Sequence, residues 1–260
     1  MEILVTNDDG INSPAISKLA DVLKQYGNVT VVAPDRDQSG KGSSVTLRDV
    51  LRYNQVDLNI DNVNAYAVEG TPADCVILAN NEINPKGFDY IFSGINYGAN
   101  MGSDILISGT AGAAIHGYLS GTLSIALSIA SLDAVRTDIT TSIEYSSNIC
   151  KFLVDNNIKD PQIINVNFPN IPYSQIKGIK STSIGPKVED EIILKETRPR
   201  GNYYWLRLDL KENVEFPKDT DMKAIQDGYI SVSPLDINLN PGGSNNNQYI
   251  VNQLTEYLNK

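Results

Sequence analysis

The chain has 260 residues, 41% hydrophobic and 20% charged, the composition of a folded protein with a sizeable core and not of a disordered one. Its 21 basic residues face 31 acidic ones, giving a net charge of −10. That balance argues against non-specific nucleic-acid binding and against docking on an anionic membrane, both of which need clustered Lys and Arg, but it leaves small phosphorylated ligands open because a bound metal reverses the local sign.

Strand and helix patterns alternate along the first 170 residues. The apolar run at 2–6 reads as a strand. Asn12, Ser13 and Pro14 form a helix start, with a capping side chain and Pro at the first turn. Ile16, Leu19, Ala20 and Leu23 follow at helical spacing, and Gly27 is the predicted stop. Residues 29–33 (VTVVA) read as a buried strand. Thr71, Pro72 and Asp74 open a helix carrying Cys75, Leu78 and Ala79 on one face. Residues 88–93 (FDYIFS) form a strand, and Thr110 is the predicted cap of a small-residue helix containing Ala111, Ala114 and Ile115. A strand at 123–129, a helix through Ile143, Ile149, Cys150 and Leu153, and a strand at 162–168 complete the series. Strands alternating with helices imply an α/β fold, with a mostly parallel sheet and helices on both faces.

Beyond Pro172 the pattern becomes β-rich, as in YYWLRLDL at 203–210, with turns at Gly185-Pro186 and Gly201-Asn202. The division read from this is a core over 1–175, a β-rich extension and return segment over 176–239, of which 176–216 reads as β-hairpins outside the main sheet, and a linker with a C-terminal helix over 240–260. An arm and tail of this kind bury little surface alone, so packing on a partner subunit is expected. No apolar run reaches the roughly 20 residues that span a bilayer, and MEILVTNDDG lacks the basic-then-apolar pattern of a signal peptide. Cys75 and Cys150 read as buried free thiols, which places the chain in the cytoplasm. The single histidine, His116, rules out a multi-histidine zinc site.

In an open parallel sheet, ligands bind beyond the carboxyl ends of the strands. Three polar loops fall there: TNDDG at 6–10, PDRDQSGKGSS at 34–44, and SGINYGAN at 93–100, which leads into SDILISGTAGAA. Adjacent carboxylates at Asp8 and Asp9 repel each other unless a cation or proton lies between them. Two readings of that pair follow: a site for a hard divalent ion such as Mg²⁺ or Mn²⁺, or an Asp-Gly turn with a helix cap. Ser39 and Asn96 offer neutral oxygens from neighbouring loops. Gly40 and Gly109 allow close approach of backbone N–H groups to an anion, and Ser108, Gly109 and Thr110 stand at a helix start that favours phosphate. Asn12, at another helix start, and Asn100, at the end of the third loop, complete the candidate substrate contacts. Arg36 and Lys41 are further candidates, whereas Arg198 and Arg200 read as solvated charges. Tyr203, Tyr204 and Trp205 read as arm packing. GxGxxG and GxxxxGK[ST] are both absent from the sequence.

Taken together, ILVTNDDG at 3–10, VVAPDRDQSGKG at 31–42, EGTPADCVILA at 69–79, SGINYGANMGSDILISGTAGAA at 93–114, NVNFP at 165–169, YYW at 203–205 and TDMKAIQDGYISVSPL at 220–235 resemble the SurE survival-protein family of metal-dependent nucleotidases. The resemblance implies a Rossmann-like core with a β-extension and a C-terminal tail exchanged within a homodimer or homotetramer. It implies one divalent metal ion, Mg²⁺ or Mn²⁺, on Asp8, Asp9, Ser39 and Asn96. It also implies removal of phosphate from nucleoside 5′- and often 3′-monophosphates, with polyphosphate cleavage in some members. His116 stands where the family usually carries an acidic residue.

The expected mechanism is attack of a metal-activated water, with Asp8 and Asp9 as the catalytic pair. A phosphoaspartate route through Asp8 is the chemical rival, although aspartate-based phosphatases use Asp-x-Asp spacing and the acids here are adjacent. The rival from another class is a non-catalytic nucleotide sensor acting on a partner through the β-arm.

Overall fold

The computed structural model describes residues 1–131, 137–199, 201–210, 214–237 and 255. The predicted tail beyond 237 therefore lies outside the described residues except for Thr255, which is helical.

Strands β1 (Glu2–Thr6), β2 (Asn28–Pro34), β4 (Val63–Val68), β5 (Tyr90–Tyr97), β6 (Leu123–Ala130) and β7 (Ile163–Pro169) run parallel. The nine-stranded sheet also includes β3 (Tyr53–Val56), β11 (Ile230–Leu235) and β8 (Ile179–Ser181), in the order β3-β4-β2-β1-β5-β6-β7-β11-β8. β3 is antiparallel to β4, and β11 is antiparallel to β7. The sheet thus takes in β8, from the 176–216 stretch read as hairpins outside it, and β11 from the return segment. Among the described residues, β9 (Glu189–Arg198) and β10 (Gly201–Leu210) form a separate hairpin.

The helices cover both faces. On one face, α1 (Pro14–Leu23) and α4 (Thr140–Asp155) bury Ile16, Leu19, Leu23, Cys150 and Leu153 against Val5, Phe92, Ile125 and Phe168. On the other face lie α2 (Pro72–Leu78) and α3 (Gly109–Leu119), with Cys75 and Val76 packed against Leu4, Val32 and Ile91. A short α5 (Asp221–Gln226) follows the hairpin. Both cysteines are free and buried. Among the described residues, no helix is long and apolar enough to cross a membrane.

Several local readings are corrected. Helix α1 stops at Leu23, four residues before Gly27; Gly27 instead lies against the Met1 carbonyl, which a β-carbon would approach to 2.6 Å. The cap of α3 is Ser108, whose hydroxyl accepts the Ala111 N–H at 3.0 Å, and not Thr110. Residues 93–97, read as loop, continue β5 through a register shift between Ser93 and Asn96. The shift centres on Gly94, whose φ is +134° and where a β-carbon would come within 2.3 Å of the Leu127 carbonyl oxygen. Only glycine lets the two strands approach so closely.

Candidate active site at the switch point of the sheet

β1 lies between β2 and β5, where the strand order reverses direction. Loops leaving such neighbouring strands diverge and open a crevice. Asn7 shapes the first loop: its side chain donates to the Gly10 carbonyl and accepts the Gly10 N–H, both at 3.1 Å. Asn7 therefore makes the turn, and Ser13 stands at the N-cap position of α1 without a side-chain capping hydrogen bond, so neither aspartate makes the turn or occupies the cap.

Asp8 is buried, and both of its oxygens face the start of α3. The Thr110 hydroxyl donates to Oδ1 at 2.6 Å, and the Thr110 N–H donates to Oδ2 at 3.2 Å. Gly109 makes room for this contact, since a β-carbon there would meet Asp8 Cβ at 2.8 Å. Burial pushes the Asp8 carboxyl above its ordinary value, and the Thr110 hydroxyl partly offsets that rise.

Asp9 has no comparable support. Its Oδ2 is buried without a hydrogen-bond partner. Burial first, then the charges of Asp8 and Asp37, push it up to about 7, with only the Tyr97 backbone N–H pulling the other way. A buried carboxylate oxygen without a donor is costly unless a cation or proton meets it.

Asp8, Ser39, Gly40, Asn96, Asn100 and Ser108 line one cleft of about 190 Å³, together with Tyr97, Asp104 and Ile107. Asn96 donates its Nδ2 to the Gly98 carbonyl at 2.7 Å, which leaves its Oδ1 as the acceptor. Asn100 is fixed by Ser128, Asn165 and Asn167. Gly109 and Thr110 stand behind the Asp8 carboxylate, and the Thr110 hydroxyl is committed to it. Asn12 is exposed and outside the cleft lining, so the structure does not bring that candidate to the site. Arg36 turns to Asp35, at 3.5 Å. His116 lies beside α3's own neighbour, with Nε2 3.4 Å from the Ser43 carbonyl oxygen. A larger cavity of about 700 Å³ beside α3 is lined chiefly by apolar residues such as Leu106, Ile115 and Ile184, and it lacks the carboxylate pair.

The survival protein SurE family model matches residues 3–191. The chain belongs to the SurE family. The 5′-nucleotidase SurE of Dehalococcoides mccartyi strain CBDB1 is 40% identical over 235 residues, covering 90% of this chain and 88% of the relative. The 5′-nucleotidase SurE of Vibrio cholerae strain El Tor Inaba N16961 is 39% identical over 245 residues, covering 92% of each. The crystal structure of the SurE protein from Aquifex aeolicus superposes with a TM-score of 0.79 at 36% identity, covering all of both chains.

SurE nucleotidases are metal-dependent. Asp8, Ser39 and Asn96 line the cleft, and Asp9, next to Asp8 but not in that lining, has an oxygen without a hydrogen-bond partner among the described residues; oxygens of this kind suit a hard divalent cation. Among the described residues, no group of three or more His, Cys, Asp or Glu side chains is arranged to hold a metal, so a site rich in carboxylate or imidazole is not the pattern here. Sequence reasoning missed Tyr97, Asp104 and Ile107 of the cleft lining.

Proposed function

We propose that the chain is a metal-dependent 5′-nucleotidase that hydrolyses nucleoside 5′-monophosphates, and 3′-monophosphates as well, to nucleoside and phosphate. One Mg²⁺ or Mn²⁺ per subunit would be held by Asp8, Asp9, Ser39 and Asn96. The observation that carries this reading is the buried Asp8 beside the N-terminus of α3, next to a half-buried Asp9 whose Oδ2 is buried without a hydrogen-bond partner among the described residues.

A bound divalent cation supplies Lewis-acid polarisation of the phosphate and lowers the pKa of water. The chain's residues do the rest. Asp8, braced by Thr110, keeps a fixed orientation. Asp9 is placed to orient the attacking water or to take its proton. The phosphate oxygens need donors that are not already used. At the start of α3 the Thr110 N–H is spent on Asp8 and the Ala111 N–H on the Ser108 cap. Gly40, which lines the cleft, offers its N–H to the anion.

Phosphate release from a panel of 5′- and 3′-nucleoside monophosphates tests the reading, run with Mg²⁺, with Mn²⁺ and with EDTA. Release that requires the metal is expected. Nucleotide binding without release under any metal would replace this reading with that of a sensor.

We also propose that the β9–β10 hairpin joins subunits into a homodimer or homotetramer. The two strands pair only with each other, and Ile193, Tyr204, Trp205 and Leu206 are each about 60% exposed or more in the single chain (59, 60, 61 and 66%). Apolar residues so exposed on both strands favour a covering partner. Trp205→Lys with Leu206→Lys is expected to reduce the mass seen by light scattering to that of a monomer. A parent chain already monomeric would refute the idea.

A further inference from the structure

The segment that carries Ser39 into the cleft is tied down by its own neighbours. The Gln38 N–H donates to the Asp8 carbonyl at 2.8 Å, which lays this loop along the first. On one side of Gln38, Asp37 Oδ1 accepts both the Ser39 N–H, at 2.7 Å, and the Ser39 hydroxyl, at 2.6 Å. A serine hydroxyl has one proton and two lone pairs. With the proton given to Asp37, both lone pairs are left for the cleft that Ser39 shares with Asp8 and Asn96. Asp37 is exposed and does not line that cleft, so it is not placed as a ligand.

We propose that Asp37 is a positioning residue for the cation site, holding the Ser39 hydroxyl so that its lone pairs, and not its proton, face the metal. This rests on the reading of the cleft given above. Without Asp37 the hydroxyl is free to rotate and to donate toward the Asp8 carboxylate, which would turn a ligand into a competitor. Partners that orient ligands typically change metal affinity by about 10–100-fold.

The test is Mn²⁺ binding, followed by the electron paramagnetic resonance signal of the free ion with no substrate present. Asp37→Ala is expected to weaken binding about tenfold, the low end of that range because Asp37 is exposed. Asp37→Asn, which keeps an acceptor oxygen, is expected to recover most of the loss. In a Ser39→Ala background, Asp37→Ala is expected to add nothing. Full affinity in Asp37→Ala would overturn the proposal, as would the same tenfold loss when Ser39 has no hydroxyl. Asp9→Asn is measured alongside. Unchanged Mn²⁺ binding there would remove the reading of the cleft and this proposal with it. Lost binding there, with full affinity in Asp37→Ala, would remove the proposal alone.

Discussion

Replacing Asp9 by Asn is expected to cut phosphate release by on the order of 10³-fold, and at the same time to make the metal-free protein more stable at pH 8. The first effect follows from losing both a cation ligand and the oxygen that orients the water or takes its proton. The second follows from the cost of that same oxygen. In the fold Asp9 is pushed from the ordinary 3.8 up to about 7, chiefly by burial and next by Asp8. Its folded pKa lies above its unfolded one, so between these values the folded chain holds more protons than the unfolded chain. Stability therefore falls as pH rises from about 4 to about 7 and stays low above that. The shift corresponds to a loss of up to roughly 4 kcal/mol. Asn carries no such penalty.

In EDTA, urea unfolding of the parent and of Asp9→Asn should give similar midpoints near pH 4 and diverge progressively toward pH 8, with the variant higher. Asp8 is shifted in the same direction, and removing its neighbour relieves it too, so the divergence reports on the pair. Mn²⁺ should raise the parent's midpoint and leave the variant's nearly unmoved. His116→Ala, carried through the same assays, should lose little activity. A variant less stable than the parent at pH 8 in EDTA would show that Asp9 is not held at a cost. Similar activity losses from Asp9→Asn and His116→Ala would remove its catalytic assignment.

Much of this site was readable because strands in parallel sheets are apolar runs, and the polar residues that end them are therefore conspicuous. Asp8 and Asp9 after EILVT, and Ser39 after VTVVAPDRDQ, stand out in this way. Asn96 joined them through its place in the third polar loop, after FDYIFS. Features that depend on contacts between distant segments did not show. Thr110 reaches Asp8 across 102 positions, and the sequence offered only a hydroxyl near a helix start, which reads as a cap. Ser108 takes the cap instead, which frees Thr110 for the carboxylate. β5 was cut short because Gly94 and Asn96 look like loop residues, whereas Gly94 is there to let the Leu127 carbonyl in. β3 lies at the edge of the sheet and is largely exposed, so no buried face wrote a pattern into YNQV.

Gly112 carries the clearest example of a residue whose role comes from its neighbour. It lies inside α3, where Ala is intrinsically better than Gly by about 1 kcal/mol. By propensity alone, Gly112→Ala should stabilise the chain. The packing reverses the sign. A β-carbon at 112 would lie 2.3 Å from the Gly42 carbonyl oxygen, 2.6 Å from its carbon and 2.9 Å from the Ser43 nitrogen. All three are backbone atoms and cannot rotate away. The loop must move, and it is held by the Gly42 N–H to the Ile107 carbonyl, at 2.9 Å. Breaking that contact and overpacking the site should cost about 1–3 kcal/mol, lowering the thermal midpoint by about 2–4 °C per kcal/mol. The same displacement carries Ser39 and Gly40 away from Asp8. Mn²⁺ affinity should therefore weaken and KM rise even at temperatures where the variant is fully folded. Circular dichroism melting in EDTA separates the two effects from each other, with Mn²⁺ binding at 20 °C below the transition. An unchanged or raised midpoint with unaltered Mn²⁺ affinity would mean that the loop tolerates the methyl group, and that the close approach of α3 is not what sets the position of Ser39.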